Sequence, residues 1–212
     1  MTNILQEFIK ILPSFLWFFF VVIIFVVFYR PIRDELLPKL SCLEAGNIKL
    51  SFIKDSLDAA IKLAEKSPQW KIDIPREEKE KAIKRAKKNQ ELFRGTKFLW
   101  VDDFPENNLN ERQMFQQLGA VIDLSKSTED ALKILNKADY DLVISDMARD
   151  DCPTAGLDFL VKLREKGNRT PLIFYLGVID EKKGVPAGTF GLTNRPDELL
   201  HLTLDVLARR SS

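Results

Sequence analysis

Residues 97–103 read KFLWVDD, an apolar run closed by two adjacent carboxylates. Phe98, Leu99, Trp100 and Val101 leave no polar face. The run therefore reads as a strand buried on both sides, the pattern of a parallel sheet covered by helices. Asp102 and Asp103 repel each other at its end, and either a solvated turn or a bound cation answers that repulsion.

The same alternation continues along the chain. After KFLWV come a helix from Asn108 to Gly119, the strand AVIDL (120–124) and the helix STEDALKILNK (127–137), opened by Ser127 or Thr128. YDLVISD (140–146), AGLDFLVKLREK (155–166) and TPLIFYLG (170–177) follow as strand, helix and strand. A loop with Gly184, Pro186 and Gly188, the strand TFGLT (189–193) and the helix PDELLHLTLDVLARR (196–210) complete the pattern. Apolar strands separated by helices demand crossover connections, so residues 96–210 are expected to form a five-stranded, parallel, doubly wound α/β domain with five helices. PENN at 105–108 reads as a helix start capped by Asn107 or Asn108.

Such sheets carry their sites at the carboxyl ends of the strands. Asp146 closes the third strand as Asp102 and Asp103 close the first. If those strands are neighbours, three carboxylates meet at one rim and raise each other's pKa unless a cation neutralises them. A hard divalent ion with oxygen ligands, Mg²⁺, meets that need.

At these residues the chain resembles the receiver domain of bacterial response regulators, which has a flavodoxin-like fold. FLWVDD resembles the family's metal-holding acidic pair, and DLVISDM resembles the strand with the phosphoaccepting aspartate, 43 residues after Asp103. GLDFLVKLRE followed by TPLIFY matches the next helix and strand. The resemblance implies that Asp102, Asp103 and Asp146 hold Mg²⁺ and that Asp146 is the nucleophile of an in-line phosphoryl transfer.

Two parts of the family pattern are missing. Tyr175, Leu176 or Gly177 stands where a Ser or Thr should close the fourth strand, and LTNRP places Asn194 and Arg195 where a Lys should close the fifth. The loop after Asp146, MARDDCPTAG, is longer than usual and adds Arg149, Asp150 and Asp151. Arg149 or Arg195 could replace the lysine's charge, although a planar guanidinium is not a point ammonium. The domain is then a phosphorylated switch, a pseudo-receiver that binds partners without a phosphate cycle, or an effector that senses a nucleotide or another small ligand.

Upstream, ILPSFLWFFFVVIIFVVFY (11–29) has 19 uncharged residues, about the ~20 that span a bilayer core. Residues 1–30 are expected to be a transmembrane anchor, with Trp17 and Tyr29 near its ends. Arg30, Arg33 and Lys39 follow the span, which puts the carboxyl-terminal bulk in the cytoplasm under the positive-inside rule. A cleaved signal peptide would need a shorter apolar region and a small-residue cleavage site, which FYRPIRDE does not offer.

Residues 31–95 read as a small α+β connecting module. NIKLSF (47–52) and WKIDI (70–74) alternate as short strands around the helix KDSLDAAIKLAEK (54–66). REEKEKAIKRAKKNQELFR (76–94) is a basic helix, either a solvated connector or a surface for anionic headgroups. Residues 1–95 carry 17 basic and 12 acidic side chains, and residues 96–212 carry 15 and 19.

A net charge of +1 disfavours a nucleic-acid binder. Cys42 and Cys152 have no disulfide or zinc spacing, which suits a reducing compartment. His201 reads as a packing or surface residue of the last helix. Cys152 lies beside Asp150 and Asp151, whose charges oppose a reactive thiolate. No Walker loop, GxGxxG or GxSxG is present, so an ordinary dinucleotide, P-loop or hydrolase enzyme is disfavoured.

The expected protein is a single-pass, bacterial inner-membrane signalling protein with a cytoplasmic receiver-like domain. Its partners are the lipid bilayer and other proteins, either a histidine kinase or a second copy of itself. Mg²⁺-dependent phosphorylation at Asp146 is the alternative mode.

Overall fold

The computed structural model describes residues 17–20, 22, 24, 37–66, 72–180 and 184–210. The chain divides into two compact units, 1–48 and 49–212. In the first, residues 17–20, 22 and 24 are helical and exposed, and the helix α1 (Leu37–Lys66) begins. Among the described residues no helix is long and apolar enough to cross a membrane. Most of the expected anchor lies outside those residues.

The second unit is built on five strands: β1 (Lys97–Val101), β2 (Val121–Ser125), β3 (Leu142–Ser145), β4 (Leu172–Tyr175) and β5 (Gly191–Thr193). All neighbours are parallel, in the order β2-β1-β3-β4-β5. This is the flavodoxin-like order, with its switch point between β1 and β3. Strand alternation splits the core in two. Phe98, Trp100, Leu142, Ile144, Ile173 and Tyr175 face one side; Leu99, Val101, Val143, Leu172 and Phe174 face the other.

Helices α4 (Thr128–Leu135) and α5 (Ala155–Glu165) cover the second face through Ala131, Leu135, Phe159, Leu160 and Leu163. The first face is covered by α3 (Leu109–Leu118) and α6 (Pro196–Arg210), through Met114, Phe115, Leu200 and Leu204. Ser127 caps α4, its hydroxyl accepting from the Asp130 N–H at 3.2 Å. Gly119 ends α3 at φ +118°, a conformation that favours glycine.

Within residues 96–210 the described α-helices number four rather than five, and Pro105–Asn108 forms a short 3-10 helix. The described residues between β4 and β5 carry no helix, in keeping with Gly184, Pro186 and Gly188 in that stretch.

Among the described residues the strands expected in the connecting module are not found, and Trp70 and Lys71 of WKIDI lie outside those residues. NIKLSF lies inside α1, and Ile72–Pro75 carries no regular structure. Period two competes here with a longer helical stripe, which wins: Ile53, Leu57, Ala60, Ile61 and Ala64 are buried at helical spacing, while Phe52 is exposed.

From residue 49 on, the connecting helices belong to the same compact unit as the sheet. Helix α2 (Arg76–Lys88) packs on α6, burying Ala82 and Ala86, and Ile53, Leu57 and Ile61 join the same core as the sheet. Lys79 pairs with Asp58, and Arg85 pairs with Asp205 and lies 3.2 Å from the His201 Nδ1. The basic helix therefore packs on α6 through its alanine face while Arg76 and Lys81 stay exposed, and His201 has a packing role against it.

Candidate functional site

The register sets the site. Val101 pairs with Ser145, and the Asp146 N–H donates to the Val101 carbonyl at 2.9 Å, so β1 and β3 end level. Carboxylate oxygens of Asp102, Asp103 and Asp146 consequently lie within 4.8 Å of one another.

Each acid is held differently. Asp102 is buried, and its two oxygens accept from the Phe104 N–H (2.7 Å) and from the Asn108 side-chain amide (2.5 Å). Asn108 thus orients a site carboxylate, and it makes no side-chain cap for α3, contrary to expectation. Asp103 accepts from the Asp150 N–H at 3.2 Å, and Asp146 accepts from the Met147 N–H at 2.6 Å.

Burial, reinforced by the Asp102 and Asp103 charges, pushes the Asp146 carboxyl up to about 6, against the Met147 N–H and Arg149. The Asp102 carboxyl is also raised, first by burial and then by Asp103. Burial thus leads both shifts, the neighbouring carboxylates add to them and Arg149 opposes them.

Arg149 is drawn away from the Asp146 carboxylate. Its guanidinium is buried and donates to the Ser145 hydroxyl (2.8 Å), the Asp146 carbonyl (2.5 Å), the Thr128 hydroxyl (3.0 Å) and the Ala155 carbonyl (3.1 Å). It braces the end of β3 against the starts of α4 and α5 while still lending positive charge to the cluster. Arg149 and Cys152 bond reciprocally around Asp150 and Asp151, whose φ values of 46° and 61° have the sign that a tight hairpin turn requires. The residues added to this loop form that small hairpin.

The other predicted substitutes are elsewhere. Arg195 clamps Asp197 with two bonds, at 2.6 and 3.2 Å, and neither Asn194 nor Arg195 lines the cavities that border Asp146. Of the candidates for the missing hydroxyl, Tyr175 turns to the opposite face, where its hydroxyl donates to Glu111 at 2.8 Å. Leu176 and Gly177 line the cavity beside Asp146 instead.

Gly156 permits this geometry. A Cβ there would come within 2.7 Å of the Asp146 carbonyl and 2.8 Å of the Phe174 ring, so α5 starts close against the end of β3. GLDF thus reads as a packing requirement as well as a helix start.

Residues 98–193 match the response regulator receiver domain. No curated protein is significantly similar to the chain. Among solved structures, the response regulator TrrA from Thermotoga maritima, in complex with Mg²⁺-BeF, is 23% identical, with a TM-score of 0.46 over 52% of this chain and 98% of that one. The chemotaxis response regulator CheY4 of Vibrio cholerae is 23% identical, with a TM-score of 0.46 over 53% and 98%. The receiver domain of the Francisella response regulator 1452 is 20% identical, with a TM-score of 0.48 over 56% and 100%.

The acidic rim suits Mg²⁺ by its donor set: three carboxylates, oxygen only, close enough to share one hard cation. Asp102, Asp103 and Asp146 would hold the ion, and each carboxylate oxygen already in a hydrogen bond keeps a further lone pair. When bound, such an ion neutralises charge on the acids and on a transferring phosphoryl group.

Proposed function

We propose that the chain is a membrane-anchored, receiver-like signalling protein that acts through protein contacts at the cytoplasmic face of a bacterial membrane, without a phosphate cycle. The receiver-domain match supports a signalling role. The observation that carries the rest is the state of the relay half of the site. Leu176 and Gly177, which offer no hydroxyl, line the cavity beside Asp146, Arg195 is clamped to Asp197, and Arg149 is tied to Ser145, Thr128 and two carbonyls. Among the described residues that line the two cavities beside Asp146, Arg149 is the one basic side chain, and its terminal nitrogens are already engaged. Apolar residues 11–29, the basic residues after them and the exposed helical side chains of Trp17, Phe18, Phe19 and Phe20 support the anchor. A histidine kinase or a second copy of the chain is the protein partner.

The acidic rim itself favours one second reading, phosphorylation of Asp146. There, a carboxylate oxygen of Asp146 would form the new P–O bond as the donor's leaving group departs in line. Incubating the full chain with Mg²⁺ and acetyl phosphate separates the two. Mass spectrometry is expected to find no base-labile adduct of about 80 Da, the mass of one phosphoryl group. An adduct abolished by Asp146→Asn would replace the first reading with the second.

A further inference from the structure

Two apolar stripes run along α1 within the second unit. Ile53, Leu57, Ala60, Ile61 and Ala64 are buried and hold the helix to its own domain. Phe52, Ser56, Ala59 and Leu63 form another line, separated by four, three and four residues, the spacing of a coiled-coil seam. Phe52 is 53% exposed and Leu63 52%, with Ser56 and Ala59 half-buried between them. Lys49 and Lys66 take the next positions of the line and confine its apolar part to about 17 Å of helix, at roughly 1.5 Å per residue. Asp55 and Lys62, both exposed and one heptad apart, flank one edge of it.

We propose that this line is the contact surface for a second copy of the chain, whose α1 lies against it in the antiparallel sense. Phe52 then packs on Leu63 of the second copy and Ser56 on Ala59, so the bulky side chains meet at the two ends and the small ones let the helices approach in the middle. The same register sets Asp55 beside Lys62 of the second copy, and the two-fold axis makes that pair twice. A parallel register sets Asp55 beside Ala60 instead and pairs neither charge, so charge chooses the orientation. The two copies of α1 start at opposite ends of such a pair, and both anchors share one bilayer when the pair lies along its surface. A contact of three turns is small beside the roughly 1,200–2,000 Å² that stable complexes bury. It is therefore filled only where copies are concentrated, as two chains anchored in one bilayer are. The inference rests on the reading that the chain is anchored and works through protein contacts, and it makes the chain its own partner.

The test is disulfide mapping in the full chain carrying Cys42→Ser and Cys152→Ser, reconstituted in phosphatidylcholine vesicles. Phe52→Cys chains and Leu63→Cys chains, one of them bearing an affinity tag, are mixed before reconstitution and mildly oxidised. The expected product joins position 52 to position 63. Like-to-like products should be at most about one tenth as abundant, because identical positions of the antiparallel pair lie about 17 Å apart along the axis, beyond disulfide reach. Asp55→Lys or Lys62→Asp alone should cut the mixed product by about threefold or more, and the two together should restore it. Like-to-like products in excess, equal amounts of all three, no product, or no recovery in the double charge reversal would overturn the proposal. Vesicle flotation tests the reading beneath it separately. A chain that does not float is not anchored, and the same mixture oxidised in solution at about 1 mM then decides the contact by the same pattern.

Discussion

The Asp146 N–H donates to the Val101 carbonyl at 2.9 Å, one residue before Asp102, so two acids distant in sequence end their strands side by side. That single backbone bond fixes the spacing of the acidic rim, because side chains at the ends of neighbouring parallel strands in register have little room to part. The rim is consequently a property of the sheet, and its charge must be met by protonation, by a cation or by a neighbouring guanidinium.

Protonation gives the first prediction. Asp146 has a folded pKa raised from 3.8 to about 6, so between those values the folded state binds the proton more tightly than the unfolded chain. Stability from this group is present at low pH and is lost as pH rises through about 6. Asp146→Asn should therefore raise Tm at pH 7 by roughly 2–4 °C, the shift that about 1 kcal/mol produces in a chain of this size. The gain should vanish below pH 4 in thermal scans without divalent ions.

Cation binding gives the second. Mg²⁺ added at pH 7 should raise the wild-type Tm and lower the pH at which Asp146 titrates, followed by carboxyl carbon NMR, because a metal competes with the proton for the same oxygens. Chelator should reverse both changes. In Asp103→Asn the ion should raise Tm by less than half as much, and an undiminished rise would place the metal elsewhere.

The third concerns Arg149. Arg149→Ala would leave the Ser145 and Thr128 hydroxyls and the Asp146 and Ala155 carbonyls without this donor, and would remove a charge from beside three acids. A loss of about 2–4 kcal/mol is expected in urea unfolding. Arg149→Lys should recover less than half of it, because one ammonium cannot reproduce the guanidinium fork.

The fourth concerns Gly156. Gly156→Ala pushes a methyl group into the Asp146 carbonyl and the Phe174 ring, and overpacking of this kind costs about 1–3 kcal/mol. The amide signals of Asp146 and Met147 should shift in NMR spectra, whereas Gly167→Ala, a strained but open position, should leave them unmoved.

The sheet was legible in the sequence because both faces of β1, β3 and β4 are buried, and runs such as LVIS and LIFY permit little else. The carboxyl-end rule then placed Asp102, Asp103 and Asp146 together without coordinates. NIKLSF misled because six residues satisfy period two and period 3.6 almost equally well, and only packing against the core chose the helix. The destinations of Arg149, Arg195 and Asn108 were not legible either. A side chain's partners depend on which backbone groups the loops leave open, and the hairpin at Asp150 and Asp151 is formed by the added residues themselves.

By itself, then, the sequence determined the strand order's raw material, the acidic rim and the absence of the family's closing Ser or Thr and Lys, because residue type and spacing are local facts. Tertiary structure decided that α1 from residue 49 on and all of α2 belong to the folded unit, that Arg149 braces β3 rather than pairing with the Asp146 carboxylate, and that Leu176 and Gly177 line one cavity with Asp146. Those outcomes depend on distances between residues far apart in the chain, set only when the helices close over the sheet.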